Sequence, residues 1–82
     1  MFDKLKQIKQ LRDLQKEVQA QKFDSERQGV RVVVNGAMQI EEVVLSAEMD
    51  AKSQERIVKD CLNDAMHKAQ TAVSQRFAGL MG

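Results

Sequence analysis

The hydrophobic period of this chain changes twice, and the two changes set the order of its elements. From residue 2 to residue 22 the apolar positions Phe2, Leu5, Ile8, Leu11, Leu14 and Val18 lie three or four apart, which traces one drifting stripe on an α-helix. At Val30, Val32 and Val34 the spacing falls to two, with Arg31 and Val33 between them, as in a strand with one face inward. From about residue 53 to residue 79 the helical period returns, through Ile57/Val58, Cys61/Leu62, Ala65/Met66, Ala69, Ala72/Val73 and Phe77. The expected order is therefore helix, short antiparallel sheet, helix, in one domain covering residues 1–82. The fold class is α+β.

The joints carry their own signals. Asn35-Gly36 follows the valine run, and because both residues tolerate positive φ the pair predicts a hairpin turn. A two-residue turn would put Ile40 on the face opposite the valines. A three-residue connection pairs Val34 with Met38 and Val32 with Ile40, and a bulge at Glu41-Glu42 then returns Val43 and Leu45 to the apolar side. Residues 21–27, with Phe23 inward, are expected to form a third strand at an edge, suited to Asp24-Ser25-Glu26. Asp50 and Ser53 are the candidate N-caps of the second helix, and Gly79 is placed to end it, leaving Leu80-Met81-Gly82 as a loose tail.

Size and stripe width both point to a partner. A chain of 82 residues removes only roughly 60–65% of its extended-chain surface from water on folding. The first helix is apolar along only one residue per turn, as in a helix that packs on a single other helix. Its free end is expected to project from the body or to pack on a second subunit.

Several function classes have no residues to serve them. Cys61 is the single cysteine and His67 the single histidine, so neither a thiolate metal site nor a histidine-rich one is expected. No Ser, His and carboxylate constellation or glycine-rich phosphate loop accompanies them. We expect no enzyme activity, no cofactor and no small-molecule substrate. The longest apolar run is far below the roughly 20 residues that cross a bilayer, and the N-terminus Met1-Phe2-Asp3-Lys4 is not signal-like. No membrane association and a cytoplasmic location are the expectations. Cys61 lies among Ile57, Val58, Leu62 and Ala65 and is expected to be buried packing, while His67 falls on the polar side of its helix.

Charge is unevenly placed. The net charge is only +1, yet residues 1–22 carry six Lys/Arg against three Asp/Glu. At 100° per residue Lys9, Arg12 and Lys16 fall within about 60° of one another, and Asp3, Asp13 and Glu17 gather on the other side. A helix sorted in this way can lay its basic flank on phosphates. Its competing reading is a solvated face with i,i+4 ion pairs such as Lys9 with Asp13. Lys4 and Lys6 lie near the tip. Asp64 and Lys68 have the spacing of a helical ion pair, and Lys68 and Arg76 extend the basic surface if the second helix lies beside the first.

The order of motifs is more specific than any one of them. A polar, lysine-rich N-terminal helix is followed by Gly29-Val30-x-Val32-x-Val34-Asn35-Gly36, then Ile40-x-x-Val43-x-Leu45, then Asn63-Asp64-Ala65-x-x-Lys68. Over nearly its whole length the chain resembles the YbaB/EbfC family of bacterial nucleoid-associated proteins. It departs in having Ser25-Glu26-Arg27-Gln28 before Gly29, where members often have several glycines, and in its short Gly79-Leu80-Met81-Gly82 tail. The resemblance implies an α-β-β-β-α fold, an intertwined homodimer with helices projecting like tweezers, and binding of double-stranded DNA through those helices in the nucleoid. The expected DNA-binding residues are Lys4, Lys6, Lys9, Arg12, Lys16, Lys68 and Arg76. The alternative is a dimeric protein-interaction adaptor that grips another protein's helix and does not bind DNA.

Overall fold

A computed structural model of the protein describes the backbone of residues 2–81 and the side chains of residues 4–79. The side chains of Phe2 and Asp3, assigned above to the apolar stripe and the acidic flank, lie outside the described residues, as does Gly82. The elements run α1 (Phe2–Ala20), β1 (Lys22–Arg27), β2 (Val30–Asn35), β3 (Ile40–Val44) and α2 (Ala51–Met81). The three strands form one antiparallel sheet in the order β1-β2-β3. The expected α+β order holds, including the third strand at one edge.

Burial follows the valine alternation. Val30, Val32 and Val34 are fully buried against Ile57, Cys61, Ala65 and Ala69 of α2, with Phe23, Met38, Met49, Val58, Leu62 and Met66 packed around them. Burying each valine stabilises the fold by roughly 1.5–3 kcal/mol. The buried line on α2 recurs every four residues and becomes small at Ala65 and Ala69, which lets the helix lie close to the strands. On the opposite face Val33 is also buried. It stands between Asp24 and Glu42 on the neighbouring strands, and Arg31 reaches both carboxylates at 3.8 Å, so ion-paired side chains flank it.

The two hairpins differ in how they close. β1 and β2 pair Arg27 with Val30, leaving a two-residue turn in which Gln28 (φ 52) and Gly29 (φ 87) are both left-handed, the geometry of a type I′ turn. Glutamine has no local hydrogen bond with which to offset that conformation, whereas asparagine is the favoured residue there. Gln28→Asn is expected to raise stability by about 0.5–1 kcal/mol, read as a higher denaturant midpoint with unchanged slope; a lower midpoint would contradict the turn assignment.

The β2–β3 hairpin corrects the sequence expectation in register and in the role of its signature residues. Val34 pairs with Ile40 and Val32 with Val43, instead of Val34 with Met38 and Val32 with Ile40. The connection does have three residues, Gly36 to Met38, closed by the Asn35 amide on the Gln39 carbonyl at 3.0 Å. The register shifts at Glu41-Glu42, opposite Val33 and Val34, where the bulge was expected. Asn35 contributes its side chain rather than positive φ: its Oδ1 accepts from the amides of Ala37 at 2.9 Å and Gln39 at 3.1 Å. The left-handed residue is Met38 (φ 61).

Gly36 is required for a different reason. A Cβ there would overlap the backbone carbonyl of Val18, so the end of α1 packs directly against the turn. The Gly36 amide donates to the Gln21 carbonyl at 3.0 Å and the Gln21 amide to the Val18 carbonyl at 3.2 Å. Val18 is buried, whereas Leu5, Ile8 and Leu11 are 66%, 50% and 49% exposed. The first helix is thus anchored at its C-terminal end, and its apolar stripe is uncovered toward the tip.

Asp50 is the N-cap of α2. Its carboxylate accepts from the Ser53 amide at 3.4 Å and its carbonyl from the Gln54 amide at 3.0 Å. The Ser53 hydrogen bonds hold the Asp50 carboxyl below its ordinary value. At the other end α2 continues through Gly79 to Met81, contrary to the expected stop and loose tail; glycine in a helix costs only about 1 kcal/mol relative to alanine, which is not a break.

Candidate nucleic-acid interface

The surface that α1 presents is decided by how its last turns attach. Val18 faces the Gly36 turn, and Glu17 Oε2 meets Arg76 Nη2 of α2 at 3.2 Å. Glu17 of the acidic flank is therefore turned to the body. Helical geometry places Lys9, Arg12 and Lys16 roughly 80–140° round the helix from Glu17, clear of α2. Lys4, Lys6, Lys9, Arg12 and Lys16 are all exposed, and among the described residues none of them forms an ion pair within 4 Å. The Lys9–Asp13 pair of the competing reading is not closed.

The other two expected contacts sit differently. Lys68 Nζ donates to the Asp24 carbonyl at 2.9 Å and pairs with Asp64 at 3.5 Å. Asp64 in turn accepts from the buried Ser25 hydroxyl, and that hydrogen bond, with Lys68 and Arg27 nearby, holds its carboxyl below the ordinary value. Lys68 and Asp64 thus clamp α2 to β1, while Arg76 steers α1. Both lie beside the arm's base and not on its basic flank.

The projecting portion sets the reach. From Ala51 to Arg76 α2 rises about 38 Å, and from Glu17 back to Phe2 α1 rises about 23 Å; end to end these match the 61 Å long axis of the molecule. The arm therefore continues past the end of the sheet.

Three features were not singled out in the sequence. Arg76–Glu17 joins residues 59 apart, and no local pattern signals it. On the helix side β3 exposes Ile40 and Val43 because α2 lies over β1 and β2, and Val44 is exposed on the opposite face; an apolar groove is lined by Leu45, Val58 and Leu62. Lys52, Arg56 and Lys59 form a second basic grouping on α2, whose i, i+4, i+7 spacing was legible. Cys61 is buried and His67 exposed, as expected. Among the described residues no group of three or more His, Cys, Asp or Glu side chains could hold a metal ion, and no helix is long and apolar enough to cross a membrane.

The family model of the YbaB/EbfC DNA-binding family matches residues 1–82. The chain belongs to the YbaB/EbfC DNA-binding family. Comparison with curated proteins and with solved structures returned no match. Membership of the YbaB/EbfC DNA-binding family supports DNA as the partner and a nucleoid-associated role.

Proposed function

We propose that this protein binds duplex DNA as a homodimer, chiefly through phosphate contacts from the α1 arms, and that it acts in the cytoplasm on the organisation or expression of the nucleoid. The observation that carries the reading is the Lys9-Arg12-Lys16 flank, which is exposed, free of ion pairs among the described residues and turned away from the body by the Glu17–Arg76 contact. Lys4 and Lys6 extend that surface toward the tip. Lys68 and Arg76 contribute at its base to the extent that their intramolecular contacts open. Four glutamines of the arm, Gln7, Gln10, Gln15 and Gln19, form no array matched to base edges, so binding is weakly specific at most.

The dimer is supported by uncovered apolar surface. Ile40 and Val43 share a face with the buried Val34 and Val32 yet stay about half exposed, as do Ile8 and Leu11, with Leu5 more so. A second copy brings a second arm, which doubles the phosphate contacts on one duplex.

A gel-shift titration between about 50 and 200 mM salt tests the reading. We expect micromolar or tighter binding whose logarithm falls linearly with log salt, with a slope near −0.9 for each phosphate neutralised, or roughly −5 for two arms of three cations. No shift at micromolar protein would favour the adaptor reading, for which the exposed Leu5-Ile8-Leu11 stripe would be the gripping surface.

A further inference from the structure

We infer that Lys52, Arg56 and Lys59 on α2 form a second phosphate-contact surface, directed away from the arm, through which the protein holds a second DNA duplex. The inference rests on the DNA-binding reading above and adds a site to it. The three residues lie at i, i+4 and i+7 and share one face of α2, within about 60° of one another. All three are exposed and border a shallow open depression that includes Glu55. Among the described residues none forms an ion pair within 4 Å. Glu55 and Asp60 are within i,i+4 reach of Lys59 and Arg56, but neither pair is closed. Like charges at these spacings destabilise a helix, so a row left without partners is better explained by an external anion than by the fold's own needs.

Placement decides between one duplex and two. Arg76 marks the side of α2 that meets α1, and the three cations lie roughly 100–160° round α2 from it. The α1 flank is likewise turned from α2. Along the long axis Lys9 and Lys59 are separated by about 38 Å, counting the rise from Lys9 to Glu17 and from Arg76 to Lys59. That is close to one turn of B-DNA, about 34–36 Å, and cations on one side of the molecule at that distance would follow a single groove. These face different sides, so a straight duplex on the arm does not reach α2. Asn63, His67 and Gln70 continue the same polar, exposed face toward the sheet end, giving a second strand of phosphates hydrogen-bonding side chains beyond the cations.

The test uses the full chain with a bead-bound duplex and a labelled free duplex of unrelated sequence, alongside a gel shift on the labelled duplex alone. Wild type is expected to retain the labelled duplex on the beads. The triple variant K52E/R56E/K59E is expected to lose retention at least about tenfold while its single-duplex affinity stays within about threefold of wild type; K52Q/R56Q/K59Q, with matching circular dichroism, should show a smaller loss in the same direction. Retention by K52E/R56E/K59E equal to wild type overturns the inference, since the two arms of a dimer would then account for bridging. Wild type that shifts DNA but retains none on beads overturns it too and leaves the arm reading standing. Wild type that shifts no DNA overturns the reading beneath it.

Discussion

Replacing Lys9, Arg12 and Lys16 together with glutamate is expected to lower DNA affinity by at least roughly several hundredfold at about 0.1 M salt, with the fold and its oligomeric mass unchanged. Each phosphate contact contributes roughly 0.9 to log K per decade of salt below 1 M, so the three contacts of one arm carry nearly three decades; the loss of the second arm's three and the repulsion of the reversed charges add to that. The fold should survive because the three side chains are exposed and, among the described residues, hold no ion pair, and glutamate is about as good a helix former as lysine or arginine. Gel shifts measure the affinity, while circular dichroism and sedimentation monitor the rest. Affinity within a few-fold of wild type would remove the arm from the interface. The glutamine triple variant, which neutralises without reversing, should fall between the two.

Gly36→Ala is expected to be strongly destabilising although it adds only one methyl group. Its Cβ would coincide with the Val18 carbonyl and crowd the Gln19 Cα, all backbone, so no side-chain rotation relieves the overlap. Either α1 shifts away from the turn, exposing Val18 and loosening the Gly36–Gln21 hydrogen bond, or the hairpin distorts. Overpacking of this kind costs about 1–3 kcal/mol or more, which in a domain this small lowers the thermal midpoint by roughly 10–20 °C. Alanine tolerates the φ here, since Gly36 is not among the positive-φ residues; the effect comes from contact alone. A midpoint within 2–3 °C of wild type, on the order of the shift from half a kcal/mol, would show that α1 does not approach the turn this closely.

The sequence was readable wherever a period was long enough to average over its exceptions. The stripe from Leu5 to Val18, the Val30-Val32-Val34 alternation and the broad face from Ile57 to Phe77 predict α1, β2 and α2, each within a few residues. The hairpins were harder because single residues decide them. Asn35-Gly36 marked the right place for the wrong cause, because a side-chain hydrogen bond and a close helix did what positive φ was expected to do. Closure on Gln39 instead of Met38 then moved every pairing of β3. Gln28-Gly29 gave no warning, since glutamine is not a residue that a left-handed turn selects. The basic flank of α1 was likewise visible on a helical wheel, but its outward direction depends on Glu17 meeting Arg76, a contact between opposite ends of the chain.

Attachment near its C-terminal end, at the Val18–Gly36 contact and the Glu17–Arg76 pair, makes α1 a lever. Its tip stands about 23 Å beyond the Glu17 contact, so a tilt of roughly 10° at that fulcrum carries the tip through about 4 Å, comparable to the axial rise of about 3.4 Å between successive phosphates of one strand. Small rotations near the sheet are thereby magnified into changes of register at the far end. On the DNA-binding reading proposed above, an arm mounted in this way would fit duplexes of differing groove width with little rearrangement of the core, as a binder that reads the backbone more than the bases requires.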